Sequence, residues 1–171
     1  MDTVNSLNPH FMDARIINPI LNGTIDLFHE MLFIEPTYGE PFIVKNNGTH
    51  RWEISGIIGV VGDSEGIVVL RVTNLLAEKL LMKSQVIVKD ETEKPKIINE
   101  MISELVNIIS AKALGGLKDF NVKLTPPFTV QGKNHEISWP SRTPIIGVPF
   151  QTPYGPFEVE VSISSKTGNA G

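Results

Sequence analysis

Apolar residues at Phe11, Ile16, Ile17, Ile20, Leu21, Ile25, Phe28, Met31 and Leu32 recur near the helical period, which predicts a helix from about Pro9 to Leu32. Pro19 falls inside this pattern and predicts a kink, or a helix that begins there. Glu35-Pro36-Thr37-Tyr38-Gly39 ends the helical pattern. Strand-like runs follow at Pro41–Lys45, Arg51–Gly62 and Gly66–Val72. Asp63-Ser64-Glu65-Gly66, between the last two, reads as a hairpin turn rather than a cation loop. Thr73 suits an N-cap for a helix over Leu75–Met82. Ser84–Val88 reads as a short strand and Lys89–Lys96 as a solvated connector. A second long helix is predicted from about Pro95, a good first-turn residue, to Leu114, with Gly115-Gly116 suited to a left-handed C-cap. The rest reads as strand and turn, with strands at Asn121–Leu124, His135–Trp139, Pro144–Pro149 and Pro156–Ser164. In the last, Phe157, Val159, Val161 and Ile163 alternate with Glu158, Glu160 and Ser162, so one face is expected to be buried.

The two halves of the pattern match. Each has a long helix and then an Ile-Ile-Gly-Val strand (Ile57–Val60; Ile145–Val148) that leads into a hairpin. Asn18 lies 39 residues before Ile57, and Asn107 lies 38 before Ile145. Shared tetrapeptide, order and spacing together predict a tandem duplication, with half-repeats at about 9–72 and 95–164 in a single domain spanning 1–171. Helix-then-strands grouping gives an α+β class, with antiparallel strands packed on two long helices.

On a wheel of roughly 100° per residue, Ile98, Met101, Ile102, Leu105, Val106, Ile108, Ile109 and Ala113 of the second helix form the arc expected to face the core. Glu100, Ser103, Glu104, Asn107, Ser110 and Ala111 lie opposite. Glu104 and Asn107, three apart, are neighbours on that face. Ser103, Ser110 and Ala111 are short, so a partner surface can approach closely. By period alone this is an ordinary solvated face, but such a face more often carries Lys, Gln or Arg than the weak helix formers Asn and Ser.

Composition narrows the class. The 171 residues carry a formal net charge of −4, which offers no basic footprint for nucleic acid or anionic membrane. No apolar run is long enough to span a bilayer. Asp2, Asn5 and Asn8 stand where a secretory leader carries Lys and Leu, so a cytoplasmic location is expected. Cysteine is absent, which removes disulfides, thiol catalysis and thiolate metal sites. His10, His29, His50 and His135 are scattered without ligand spacing, so no resident metal is expected.

The segment Glu100-Met-Ile-Ser-Glu104-Leu-Val-Asn107-Ile-Ile-Ser-Ala111 resembles the Glu-x-x-Asn helix of the CheC/CheX/FliY chemotaxis phosphatases. The resemblance extends to Ile17-Asn18-Pro19, Ile54-Ser55-Gly56-Ile57-Ile58-Gly59, Pro127–Gly132 followed by His135, and Pro149–Phe157. It runs from about Asn8 to Ser164 and is nearest the CheX branch. It implies one CheC-like domain. In the half-to-half register Asn18 matches Asn107 and Arg15 matches Glu104, so the first copy lacks the acid and one active copy is implied.

The resemblance further implies hydrolysis of the aspartyl phosphate of a CheY-like receiver domain, the receiver bringing its own Mg²⁺. Asn107 would position the attacking water and Glu104 would pair with the receiver's active-site lysine. Glu100, Ser103, Ser110 and Ala111 would line the contact. It also implies a homodimer formed by edge strands, for which Phe157–Ile163 is the expected edge. The alternatives from other classes are a non-catalytic receiver-binding adaptor and a flagellar-switch component.

Overall fold

The computed structural model describes residues 14–45, 50–115, 121–139 and 143–165. In chain order these form α1 (Ala14–Leu32), β1 (Thr37–Tyr38), β2 (Phe42–Ile43), β3 (Ile54–Gly62), β4 (Ser64–Val72) and α2 (Asn74–Lys83). Then follow α3 (Lys94–Leu114), β5 (Val122–Leu124), β6 (Phe128–Gln131), β7 (Ile146–Thr152) and β8 (Gly155–Ser165). The strands make one eight-stranded sheet in the order β1-β7-β8-β4-β3-β5, with β2 also on β7 and β6 also on β3. Every pairing is antiparallel. Exchanging β1–β4 with β5–β8 reverses this order onto itself.

The strand pattern explains which face meets the helices. Ile54, Ile58 and Val60 of β3 join Val68, Leu70, Val72, Ile146, Val148, Phe150, Phe157, Val159 and Val161 in one core with the buried stripes of α1, α2 and α3. The rings of Phe28 from α1, Phe157 and Phe150 stack in sequence, with centroids 4.4 and 4.7 Å apart. Gly56 lets α3 settle onto β3: a Cβ there would stand 2.8 Å from Ile102 Cγ2 and 3.0 Å from the Ile102 carbonyl oxygen. At the β3–β4 hairpin Gly62 has φ +126°, a conformation L side chains rarely adopt. Thr73 caps α2 as its sequence predicts, accepting a hydrogen bond from the Leu76 N–H at 3.2 Å.

Several expectations are corrected. Within the described residues α1 is continuous through Pro19, so the helix does not start at that proline; its expected start at residues 9–13 lies outside the described residues. Ser84–Val88 is a turn and coil, because Gln85 takes φ 62° and breaks extension. Gly115 ends α3 in the right-handed region, at φ −56°, as the hydrogen bonds tighten in the last turn, and Gly116 lies outside the described residues. His135–Trp139 forms no strand, whereas Phe128–Gln131 does. β8 is not an edge: β7 pairs with it over residues 155–161 and β4 over residues 158–165. Its alternation reflects two different buried faces, since Glu158, Glu160 and Ser162 are buried along with the apolar set.

The face of the sheet away from the helices is covered as well. Ile57, Ile67 and Val69 pack there against Val130, Ile137 and Trp139. Polar bonds fasten the covering chain. His135 Nδ1 lies 2.7 Å from the Gly132 carbonyl oxygen and therefore carries the proton, leaving Nε2 to accept from Ser55 Oγ at 2.6 Å. Trp52 N–H donates to His50 Nδ1 at 3.1 Å, so His50 Nε2–H donates to the His135 carbonyl oxygen at 2.7 Å. Arg71 Nη2 donates to that same oxygen at 3.3 Å, and Arg71 Nη1 pairs with Glu160 at 3.1 Å.

Candidate active site

The site is built on α3. Pro95 in the first turn needs no intrahelical N–H bond there, and the run from Ile98 to Ala113 supplies the apolar stripe. Ile98, Ile102, Leu105, Val106, Ile109 and Ala113 are buried, while Met101 and Ile108 are half-buried at the margin. This orientation turns the opposite arc outward. Glu104 is exposed and Asn107 half-buried. Among the described residues neither makes a hydrogen bond or ion pair, so the carboxylate and the amide are both available to a second molecule. Glu100 is exposed and lies 4.0 Å from Lys96, one turn earlier. Ala111 is exposed.

The two serines separate. Ser103 is half-buried, with its Oγ 2.7 Å from Thr129 Oγ1 on β6. Ser110 does not belong to the exposed face: it is 1% exposed, and its hydroxyl has no hydrogen-bond partner among the described residues. The physical reason lies in the wheel. Asn99, Ser103 and Ser110 project to one flank of α3, within roughly 40° of each other. Asn99 and Ser103 both bond to β6, so the sheet covers that flank. On α1, Arg15 and Asn18 are exposed and stand three apart, as Glu104 and Asn107 do on α3.

Sequence reading did not bring together the polar cluster of the opposite sheet face. Glu158 and Glu160 are 8% and 1% exposed. Burial pushes the Glu158 carboxyl up to about 8, helped by its hydrogen bond and repulsion with Glu160 and opposed by Arg71 and Arg51. Beside it a pocket of about 230 Å³ is lined by Tyr38, Arg51, Trp52, Gln151 and Glu158 among others. Only the alternation in β8 hinted at these carboxylates, and alternation reads as solvent exposure when the covering segment is unknown. His50 and His135 meet edge to face with centroids 5.4 Å apart, across a sequence separation that no spacing rule detects.

Helices layered on one face of an antiparallel sheet in this strand order are the architecture of the CheC-like class. A CheC-like superfamily protein from Shewanella sp. PV-4 superposes with a TM-score of 0.78 at 27% identity, covering 90% of this chain and all of that one. The family model for chemotaxis phosphatase CheX matches residues 54–151, more than half of the chain, and the protein belongs to that family. The matched stretch opens at β3 and contains all of α3. The CheY-P phosphatase CheX of Thermotoga maritima is 26% identical over 128 residues, 74% of this chain and 81% of that protein. The CheX–CheY–BeF3–Mg²⁺ complex from Borrelia burgdorferi superposes with a TM-score of 0.70 at 25% identity, covering 88% of this chain and 98% of that one.

Proposed function

We propose that the protein removes the phosphoryl group from a phosphorylated CheY-like receiver domain, with Asn107 positioning the attacking water and Glu104 docking the receiver's active-site lysine. One observation carries the reading: Glu104 and Asn107 stand together on the outward face of α3, within the family-matched stretch, with no partner among the described residues. An aspartyl phosphate is already a reactive acyl phosphate, so the enzyme needs chiefly to hold water in line with phosphorus. An amide suits this task. Its carbonyl accepts from the water and its NH₂ can donate, without adding negative charge beside the phosphoryl group. The Mg²⁺ belongs to the receiver and arrives with it, as the phosphoryl group does. The cytoplasm, where receivers act, is the corresponding location, and among the described residues no helix is long and apolar enough to cross a membrane.

The test is decay of phosphate on receivers from the same genome, each phosphorylated with acetyl phosphate, with and without the protein. Accelerated decay of one of them is expected; binding without acceleration would instead identify the adaptor. Glu104→Ala is expected to weaken receiver binding several-fold, on the order of 1 kcal/mol for a lost interfacial ion pair, with a smaller effect on kcat. Unchanged affinity would remove the docking role.

The palindromic strand order supports reading the chain as one domain made of two half-repeats, the first without the acid because Arg15 occupies its place. The homodimer remains part of this reading, with its contact moved to the open sheet edges. These belong to β1–β2 and β5–β6, where Tyr38, Phe42, Ile43 and Phe128 expose large apolar side chains. Light scattering at micromolar concentration is expected to give twice the chain mass, and a monomer would refute it.

A further inference from the structure

The flank of α3 beside Asn107 is gripped by an outer strand. Thr129 Oγ1 donates to the Asn99 carbonyl oxygen at 3.0 Å. Its proton being committed there, the 2.7 Å contact with Ser103 Oγ is a hydrogen bond donated by the serine. Gln131 Nε2 donates to Asn99 Oδ1 at 2.6 Å. Thr129 and Gln131 both come from β6, which is itself registered on β3 through Gly56↔Thr129 and Ile54↔Gln131. Asn99, Ser103 and Asn107 form a single i, i+4 row along α3. Two of the three are held, and Asn107 is the next position in the row.

The buried stripe of α3 meets the protein mainly through apolar packing, as at Ile102 and Val106 over Gly56. Burial of that kind is non-directional and resists small rotations of a helix about its axis only weakly. Hydrogen bonds are directional. A rotation of about 10° moves an atom some 5–6 Å from the axis by roughly 1 Å, and a displacement of that size at a reacting centre costs on the order of 100-fold in rate.

We propose that Ser103 and Thr129 are positioning residues, which set the rotation of α3 and thereby the place of the Asn107 amide over the receiver's phosphoryl group. This rests on the phosphatase reading above. The grip touches neither substrate nor water; it acts through Asn107. It also leaves Glu104, on the other side of the arc, to dock as before, so its removal separates kcat from KM.

The experiment compares Thr129→Val, which keeps the shape and removes the hydroxyl, with Thr129→Ser, which keeps the hydroxyl. Asn107→Ala is run alongside, with Ser103→Ala as the second break of the same bond should the valine variant fail to fold. Each full-length protein is mixed with an acetyl-phosphate-labelled receiver domain that the wild type dephosphorylates, and kcat and KM are measured, with circular dichroism as the folding control. Thr129→Val is expected to lower kcat by about tenfold or more with KM within twofold, and Thr129→Ser to restore it to within about twofold. Wild-type kcat in folded Thr129→Val or Ser103→Ala, with Asn107→Ala collapsed, would overturn the positioning role and leave the phosphatase reading standing. A rise in KM at constant kcat would also overturn it, since the grip would then serve docking. Full activity in Asn107→Ala would remove both.

Discussion

Asn107→Ala is expected to slow receiver dephosphorylation by about 100-fold while leaving receiver affinity within a few-fold of wild type. The reasoning depends on what the side chain does not do. It makes no hydrogen bond among the described residues, so its loss strands no buried donor or acceptor there. Alanine is also the better helix former by roughly half a kcal/mol, so the variant should be as stable as wild type or slightly more so. A loss of turnover in a protein that is no less stable points to chemistry rather than folding. Asn107→Asp sharpens the test, because it keeps the shape but brings a negative charge towards the phosphoryl oxygens. It is expected to be at least as inactive as alanine. Wild-type phosphate decay with Asn107→Ala would end the catalytic assignment.

The largest expected effect on stability lies at the opposite face of the sheet. Glu158 is held up to about 8 against an ordinary value of 4.5, first by burial and then by its hydrogen bond and repulsion with Glu160. Because the folded value lies above the unfolded one, between pH 4.5 and 8 the native chain keeps a proton that the unfolded chain releases. This contribution is fully present below pH 4.5 and is lost as pH rises through 8. The span corresponds to a few kcal/mol, on the order of 5 at most. Glu158→Gln keeps the shape and can donate to Glu160, yet has nothing to ionise. Urea denaturation at pH 5, 7 and 9 is expected to show the variant gaining on wild type as pH rises, by a few kcal/mol across the range. Parallel stability curves for the two proteins would show that Glu158 ionises freely in the native state.

How much of this was legible depended on whether the deciding interaction was local. α3 was read to within a residue of its true start because Pro95 and the apolar stripe from Ile98 to Ala113 are features of its own sequence. The pair Glu104 and Asn107 was placed outward by the same periodicity. Ser110 was misplaced because a wheel shows angle and not what covers a residue from outside the helix. β6 was overlooked since its four residues sit between Pro126-Pro127 and Gly132, punctuation that reads as loop. The misreading of β8 as an edge had the same source: its partners β4 and β7 are fixed by topology, which no window along the chain contains. Buried Glu158 and Glu160 followed from that error, as polar residues in alternation look solvated until the second covering layer is known.

The strand order has a consequence for how the chain reaches this state. The outer strands are exchanged: β1 and β2 complete the sheet beside β7, and β5 and β6 complete it beside β3. Residue Phe42 must find Gly147, and Gln131 must find Ile54, before either margin exists. Such pairings close very long loops and give a high contact order, which slows folding far more than it weakens the finished structure. Neither half owns a complete sheet, so a fragment cut near Lys89 would leave β3 or β7 with an unfilled slot, the template on which foreign strands aggregate. The two halves are thus braided into one unit, and the helix that carries the amide meets the hydroxyl and amide groups of β6 only once that strand has been laid beside β3.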